Sequence, residues 1–193
     1  MNLFDLLFLL LALSAIVSLI AVLVLALSGR RVQSVRLLSR LAAGAFVYFS
    51  IVIITSSISP RRLLNMGDAQ CFDDWCISAI SSATSQTQTG LAYLVNLRIS
   101  SRALRVPQRE LNMAVYLTDK DNHRYNPSPR PSDTPLNSLL EPGQSIALSR
   151  LFIIPPSARD LNLVITHEGG FPIGWFIIGY DAWFRRPPLI RLQ

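Results

Sequence analysis

The chain has 193 residues, of which 50% are hydrophobic, and it carries a formal charge of +6 with a pI near 10.0. A chain of this length usually forms one or two domains. Most of the excess charge lies before Leu63, where six arginines stand against the single acidic residue Asp5, and the remainder is close to neutral. Nucleic-acid binding needs a basic stripe on the folded domain, so we expect no nucleic-acid partner.

Two uncharged apolar spans, Leu6 to Leu27 and Leu41 to Ile58, occupy most of the N-terminal third of the chain. At a rise of 1.5 Å per residue, helices over these spans reach about 33 Å and about 27 Å, and the hydrocarbon core of a bilayer is about 30 Å thick. The sequence therefore predicts a transmembrane helical hairpin over residues 1–60, with helices at about 4–28 and 41–59, and the lipid bilayer as its partner.

The linker between the spans carries only basic charges, which are Arg30, Arg31, Arg36 and Arg40. Arginine is retained on the cytoplasmic side of a membrane, so these residues are predicted to lie at the inner membrane interface. The N-terminus and the C-terminal domain then lie outside. This makes the chain a two-pass protein of the bacterial cytoplasmic membrane, although Arg61 and Arg62 fall on the side that the rule disfavours.

A cleaved signal peptide is the alternative interpretation of the first span, with Ala26 and Ser28 as small residues before Gly29. Signal peptides have a basic leading region and an apolar stretch of about 7 to 15 residues. The first span has no basic residue before it and is much longer, so this alternative ranks second. After cleavage the second span would still anchor the domain.

Cys71 and Cys76 are the two cysteines of the chain, and they fall in the part that is predicted to be outside. An oxidising compartment favours a disulfide, and a loop this short adds only about 2 kcal/mol of stability. Asp73, Asp74 and Trp75 would be displayed on the stapled loop as candidate contacts for a cation or a protein partner. Two solvated acidic residues in a turn are the simpler interpretation.

Residues 61–75 are predicted to form a juxtamembrane connector, and residues 76–193 a β-rich domain. Apolar and polar residues alternate with a period of two in Leu91–Ile99 and in Leu111–Thr118, which is typical of half-buried strands. Further strands are predicted at Cys76–Ser81, Ser145–Ile154, Leu161–Thr166, Trp175–Ile178 and Leu189–Leu192, with a short one at Arg124 and Tyr125.

Turn residues separate these strands. Ser81 to Gly90 is rich in Ser, Thr and Gln, Asp119 to Asn122 is a tight hairpin turn with Asn122 in the left-handed region, and Asn126 to Pro135 is a proline-rich excursion. Glu141, Pro142 and Gly143 form another turn. About seven or eight short strands with this spacing favour a β-sandwich over a βαβ fold.

The order of these strands and turns resembles a widespread bacterial family. The segments that carry the resemblance are Tyr116 to Asp119, Arg124-Tyr125, Leu140 to Ser145, Phe152 to Pro155 and Leu161 to Val164. The family consists of immunoglobulin-like extracytoplasmic domains of unknown function, similar in fold to a secreted mycobacterial immunoprotective antigen. The resemblance implies an immunoglobulin-like sandwich outside the cytoplasm, and it supplies no catalytic or binding residue.

Two further patterns bear on metals and cofactors. Asp119-Lys120-Asp121-Asn122 begins like a calcium loop, but Arg124 stands where the loop needs glycine and Arg130 where it needs glutamate. His167 lacks the second histidine of a zinc-protease helix. We therefore predict no metal and no cofactor.

The sequence has no Gly-x-Ser-x-Gly motif, and we predict that the chain is not an enzyme. The prediction is a non-enzymatic binding or structural module of the cell envelope, whose partner is another envelope protein. The alternative is an envelope redox or stress sensor that uses Cys71 and Cys76. Besides the loop acids, candidate partner-binding residues are His167, Glu168 and Trp175, and candidate membrane-interface residues are Trp183, Arg185 and Arg186.

Overall fold

The computed structural model describes residues 3–87, 90–169, 176–177 and 185–192. The chain separates into two compact units. One consists of Met1–Pro60 together with Phe171–Arg186, and the other of Arg61–Gly170 together with Pro187–Gln193. The first unit contains the helices and the second contains the strands.

Two helices form most of the first unit, α1 over Leu3–Leu27 and α2 over Arg31–Ile58. Both are long and apolar enough to cross a membrane, with mean hydropathies of 3.0 and 2.0 in their most apolar 18-residue windows. No described residue of α1 is buried. The two helices are tied by the Ser34 hydroxyl, which donates to the carbonyl of Val22 at 3.1 Å.

Helix α2 begins at Arg31, ten residues before the predicted start of the second span. The sequence between Arg31 and Leu41 contains no proline and no glycine, and its Arg, Leu and Gln residues are good helix formers. The connection is therefore a short turn, in which Gly29 adopts a φ of 75° in the left-handed region that ends many helices. Arg31, Arg36 and Arg40 consequently lie on the helix itself.

Strands in the described residues form two sheets. One sheet has the order β1-β9-β8-β5-β6 and the other has the order β2-β3-β4-β7. All neighbouring strands are antiparallel except β1 and β9, which pair in parallel. The bounds are β1 Leu63–Leu64, β2 Ala69–Phe72, β3 Trp75–Thr87, β4 Gly90–Ser101, β5 Met113–Thr118, β6 Arg124–Tyr125, β7 Ser145–Ile154, β8 Asn162–His167 and β9 Leu189–Arg191.

The hydrophobic core lies between the two sheets and makes the second unit a β-sandwich. Leu97 and Phe152 from one sheet and Leu117 and Leu163 from the other are at most 1% exposed and belong to one cluster. Full burial of an apolar side chain of this size contributes about 1.5 to 3 kcal/mol. The predicted sandwich is thus confirmed as a fold class.

Several predicted strands are present at or close to their predicted bounds. Ser145–Ile154 is confirmed over its full length as β7, and the short strand at Arg124 and Tyr125 is confirmed as β6. The strands predicted from Leu111, Leu161 and Leu189 are present with ends shifted by one or two residues. Trp175 and Ile178 lie outside the described residues, and Phe176 and Ile177 between them are not in a strand.

Strand β3 continues through the segment that was predicted to be a turn. It runs to Thr87, where it pairs with Gly90, although the residues beyond Ala79 are mostly exposed. Pairing with β4 keeps this part extended, because β4 is held on its other side by β7. The register shifts between Ala79 and Ser81, so Ile80 forms a bulge and is 40% exposed.

The segment that was expected to be a connector, residues 61–75, carries β1 and β2. Leu63 and Leu64 pair with Leu189 and Ile190, and Arg61 Nε donates to the Pro187 carbonyl at 2.8 Å. A strand of two residues has no detectable alternation, which explains why the sequence pattern did not predict it.

Candidate functional site

Cys71 and Cys76 face each other across the β2–β3 hairpin and form the predicted disulfide. Their Cα atoms are 4.0 Å apart, a spacing close to that of non-hydrogen-bonded pairs in an antiparallel ladder. Asp73 and Asp74 form the two-residue tip and are exposed. Asp73 has a φ of 52°, the left-handed conformation that such tight hairpins require.

Trp75 does not share this exposed position. Its side chain is 1% exposed and belongs to the hydrophobic core, which contradicts its inclusion among the partner-contacting residues. The period of two along β3 explains the burial, because Trp75 lies on the same face as the core residues Ile77 and Ala79. Its indole Nε1 is buried without a hydrogen-bond partner among the described residues.

The structure places His167 beside the hairpin. The imidazole meets the Phe72 ring edge-on, with ring centroids 4.5 Å apart. His167 Nε2 lies 2.7 Å from Oε1 of Glu110, a residue in the loop before β5. The two side chains of this pair are 31% and 27% exposed, so both reach the surface.

Glu168 is the next residue along the chain and forms an ion pair with Arg124 of β6. The Arg124 guanidinium lies 4.0 Å from the centroid of the Tyr116 ring, and its Nε donates to Asn126 Oδ1 at 2.7 Å. The hydrogen bond to Glu168 raises the pKa of Arg124. Because the two partners are 40% and 45% exposed, this ion pair adds at most about 1 kcal/mol of stability.

Glu168 and Arg124 pair with each other over the Tyr116 ring. We define the His167 cluster as Phe72, Glu110 and His167, which form a partly exposed surface with an aromatic ring, a carboxylate and an imidazole. Such a surface can donate and accept hydrogen bonds and present an apolar face, which is the chemistry of a protein-contact site. Through Phe72 the cluster is continuous with the Asp73-Asp74 tip.

Sequence reasoning predicted His167 and Glu168 but missed Phe72, Glu110 and Arg124. Met113 pairs with His167 because β5 and β8 are neighbours, and this register brings Glu110 to the end of β8. The two strands are far apart in sequence, so no local pattern connects Glu110 with His167. The predicted hairpin between β5 and β6 was the one signal that could have placed Arg124 near this sheet.

Asp119 begins the loop between β5 and β6 and is 7% exposed. Its Oδ1 accepts the N–H groups of Asp121 and His123, and its Oδ2 accepts the Tyr125 hydroxyl and lies 3.0 Å from His123 Nδ1. Desolvation by burial raises the pKa of Asp119, but these hydrogen bonds outweigh it and lower the pKa to about 2.

The carboxylates of Asp119 and Asp121 and the imidazole of His123 are close enough to suggest a metal site. However, the Asp119 oxygens already take part in four hydrogen bonds, which matches the lone-pair capacity of a carboxylate. Asn122 has a φ of 61°, so the predicted left-handed turn residue is confirmed. The arrangement is that of a hydrogen-bonded hairpin turn.

The proline-rich excursion is fastened to β7. Ser128 N donates to the Leu151 carbonyl at 2.7 Å, and the Arg130 guanidinium bonds to Asp133 and to Ser149. Arg150 is 7% exposed and donates to the Thr134 carbonyl, and its burial lowers its pKa. A cleft of about 230 Å³ lies here, lined by Asn112, Met113, Leu136, Asn137 and Arg150.

The remaining predicted residues belong to the helix unit. Arg30 precedes α2, and Arg31, Arg36 and Arg40 lie within its first ten residues and are exposed. Arg185 is partly exposed and Arg186 is exposed. Trp175 and Trp183 lie outside the described residues.

The fold defines a β-sandwich protein that carries two N-terminal apolar helices. No family model matches the chain, and a search of curated proteins finds no match. Among solved structures, the chain is similar to the yjhA protein of Bacillus subtilis, with a TM-score of 0.45 and 10% identity over 67% of this chain and 98% of that one.

Two further solved structures are similar. The secreted protein MPT63 of Mycobacterium tuberculosis has a TM-score of 0.43 and 9% identity, and the match covers 58% of this chain and 93% of that one. An uncharacterized β-sandwich protein of Clostridium difficile has a TM-score of 0.45 and 10% identity, and the match covers 70% of this chain and 96% of that one.

Proposed function

We propose that this chain is a two-pass protein of the bacterial cytoplasmic membrane that presents a β-sandwich on the extracytoplasmic side. The sandwich acts as a non-enzymatic binding or structural module of the envelope, and its partner is another envelope protein. The residues 1–60 form the membrane hairpin. The proposal includes membership of the immunoglobulin-like extracytoplasmic family that the pattern from Tyr116 to Val164 resembles.

The observation that carries the proposal is the bare surface of α1. Its 25 residues have a mean hydropathy of 3.0 over the most apolar window, and none of that window is buried. Soluble proteins rarely expose a contiguous apolar patch larger than a few hundred Å². A helix of this length reaches about 37 Å, which is enough to cross the hydrocarbon core of a bilayer, about 30 Å thick.

The arginines near the turn support the orientation. Arg30 and Arg31 lie at the turn between the helices, and Arg36 and Arg40 lie on the first turns of α2. Their long side chains can extend along the helix and place the guanidinium groups at the membrane surface. Since arginine is retained on the cytoplasmic side, the turn lies inside and the sandwich outside.

The proposed contact surface consists of the Asp73-Asp74 tip and the His167 cluster. The tip is exposed and the cluster is partly exposed, and the Phe72 ring joins them by its contact with His167. Loops at the end of a rigid sandwich are common binding sites, because the sheets hold them in place. The disulfide between Cys71 and Cys76 fixes the base of the tip and so reduces the entropy that binding would cost.

A reporter fused after Gln193 tests the topology. An enzyme reporter that is active only outside the cytoplasm should be active, and a fluorescent protein that matures only in the cytosol should be dark. The matched control carries the same reporters after Arg31, where the pattern should be reversed. Activity of the Gln193 fusion in the cytosol alone would contradict the proposal.

The contact surface is tested with the full chain as bait in cross-linked intact envelopes. Replacing Asp73 with Asn and His167 with Gln should abolish recovery of a specific partner. Asp160→Asn is the matched control, because Asp160 is also an exposed aspartate with a left-handed φ of 51°. Equal loss with Asp160→Asn, or unchanged recovery with the first pair, would refute the proposed surface.

A redox or stress sensor is the second candidate, and the exposure of Cys71 favours it, because a reductant can reach that end of the disulfide. The reduction potential separates the two functions. A structural disulfide has a reduction potential below about −300 mV, whereas the disulfide of a redox switch has a higher, more oxidising potential. A high potential together with a change in partner recovery on reduction would favour the sensor.

A further inference from the structure

A contact within the helix unit involves the part of the chain between β8 and β9. Residues Phe171–Arg186 group with the helices, and the structure describes Phe176 and Ile177 from the middle of this segment. The Tyr48 hydroxyl of α2 donates to the Phe176 carbonyl at 2.6 Å. The rings of Phe49 and Phe176 meet edge-on with centroids 5.9 Å apart and planes at 72°.

The position of Tyr48 on α2 sets the depth of this contact. Tyr48 lies ten residues before Ile58, the last residue of the helix. At a rise of 1.5 Å per residue this is about 15 Å from the helix end, which is about half the thickness of a 30 Å hydrocarbon core. Phe176 is therefore level with the middle of the apolar part of α2.

Hydrogen bonding explains why these two groups would meet at such a depth. A tyrosine hydroxyl and a backbone carbonyl are both costly in hydrocarbon, where no water is present to pair with them. The Tyr48–Phe176 hydrogen bond pairs each group with the other. Non-helical backbone is tolerated inside a bilayer when protein groups satisfy it in this way.

The sequence around Phe176 has the composition that this depth requires. Between Gly170 and Phe184 the one charged residue is Asp181, and Arg185 and Arg186 follow. Arginines are favourable at the lipid headgroups, and aromatic residues are enriched at the same level. The charge pattern thus places an apolar stretch before a basic end.

We infer that the chain enters the bilayer a third time at Phe176 and Ile177, where Tyr48 and Phe49 of α2 hold it among the lipid acyl chains. The inference depends on the proposed membrane crossing of α2. It means that the sandwich is anchored in the bilayer by the segment after β8 as well as by the helical hairpin. The ligand class is the acyl chain of a bilayer lipid.

Cysteine accessibility in proteoliposomes of the full-length protein tests the inference. Three variants are compared, Ile177→Cys, Phe46→Cys and Leu104→Cys, each labelled with a membrane-impermeant maleimide before and after detergent. Phe46 lies on α2 close to the depth of Tyr48 and is 73% exposed, and Leu104 lies in a loop of the sandwich unit and is 92% exposed. Cys71 and Cys76 stay unreactive because they are disulfide-bonded.

The inference predicts that Ile177→Cys and Phe46→Cys label about tenfold more slowly than Leu104→Cys in vesicles, because the hydrocarbon excludes water and charged reagents. Unfolding in a denaturing detergent should remove the difference. If Ile177→Cys labels as fast as Leu104→Cys while Phe46→Cys stays protected, the inference fails and the membrane crossing stands. If both label fast, the crossing of α2 fails as well.

The hydrogen bond itself is tested by adding Tyr48→Phe to Ile177→Cys. Removing the hydroxyl leaves the Phe176 carbonyl unpaired, so labelling of Ile177→Cys in vesicles should rise by about fivefold. Phe46→Cys combined with Tyr48→Phe is the matched control and should remain protected. No change in the labelling of Ile177→Cys would show that Tyr48 does not hold the segment and would overturn this part of the inference.

Discussion

Asp119 shows how one carboxylate organises a loop. The sequence around it begins like a calcium site, yet its oxygens are occupied by Asp121, His123 and Tyr125. Two of these donors are backbone N–H groups of the loop itself, so the carboxylate fixes the backbone that follows it. The ionised form is the one that accepts these bonds, and stability therefore depends on its ionisation.

The lowered pKa of Asp119 predicts a pH dependence. Its folded-state value of about 2 lies below the ordinary value of 3.8, so ionised Asp119 stabilises the fold above about pH 4, and this contribution disappears as the pH falls towards 2. We expect the difference in urea midpoint between the wild type and Asp119→Asn to be constant near neutrality and to shrink across that window. Tryptophan fluorescence of the full chain in detergent measures it.

Asp121→Asn is the control for this experiment. It removes an exposed carboxylate from the same loop and leaves Asp119 with the backbone N–H group of residue 121 as a donor. The Asp121→Asn variant should therefore retain the pH dependence of the wild type. If the wild type and Asp119→Asn have the same urea midpoint near neutral pH, the stabilising role of Asp119 is contradicted.

At the tip of the disulfide hairpin, substitution by glycine should change the stability in opposite directions at two adjacent residues. Asp73 has a φ of 52°, and glycine adopts this conformation without steric cost, whereas Asp74 is not in the left-handed region. Asp73→Gly should raise the free energy of unfolding by about 0.5 kcal/mol, and Asp74→Gly should lower it by a similar amount. Urea denaturation measures both, and equal signs would contradict the backbone argument.

Individual residues were predicted from sequence where a local rule applied to them. Asn122 was predicted as a left-handed turn residue because short loops between strands need one, and its φ is 61°. Trp75 was misplaced because a tip of two residues, and not three, closes the hairpin. Glu110 was missed because its partner His167 is brought near by strand pairing that no local pattern reports.

At the scale of elements, the disulfide joins β2 to β3. Reduction, or replacement of both Cys71 and Cys76 by alanine, should lower the free energy of unfolding by about 2 kcal/mol, because the closed loop is short. Urea unfolding with and without reductant measures this change. Reductant should not change the stability of the variant that lacks both cysteines. If removing the disulfide lowers the free energy of unfolding by much more than the predicted value, the disulfide stabilises more of the domain than the local turn.

The proline-rich excursion covers the outer edge of β7. Ser128→Pro removes the N–H that donates to the Leu151 carbonyl and should cost about 1 kcal/mol of stability and expose the edge to association. Sedimentation of the full chain in detergent should then show more oligomer. Ser128→Ala keeps the N–H and should behave as the wild type. Association in both variants, or in neither, would contradict this role.

Strands were predicted best where turn residues mark their ends. β7 was predicted with its observed ends, because Glu141-Pro142-Gly143 precedes it and Pro155 follows it, although its last four residues form a continuous apolar run. β1 and β2 were missed since they have two and four residues and depend on pairing with β9 and β3. The polar end of β3 has no buried face, and its pairing with β4 keeps it extended where composition favoured a turn.

At the scale of the whole molecule, the proposed membrane orientation depends on four arginines. Replacing Arg30, Arg31, Arg36 and Arg40 by glutamine removes the bias that retains the turn in the cytoplasm, so a mixture of both orientations is expected. The topology reporters after Gln193 measure the mixture. Replacing Arg61 and Arg62 by glutamine is the control and should keep the original orientation, and a mixture in that control alone would reverse the proposed topology.

The division of the molecule into an apolar helical part and a β-sandwich was predictable because the two parts differ in hydropathy and in period. The extent of each part was less predictable. Arg31 to Arg40 belongs to α2 because nothing in the sequence interrupts the helix, although its charges suggested a loop. Phe171–Arg186 groups with the helices although it lies between the sandwich strands β8 and β9 in sequence.

The parallel pairing of β1 with β9 has a kinetic consequence. Leu63 and Leu189 stand at opposite ends of the sandwich sequence, so the intervening chain forms one long loop that must close before they meet. Loop closure costs entropy that rises with loop length, and folds rich in such distant pairings fold slowly. We therefore expect β1 and β9 to pair late in folding. Until they pair, the edge of β9 presents unpaired backbone groups that chaperones and other chains can bind.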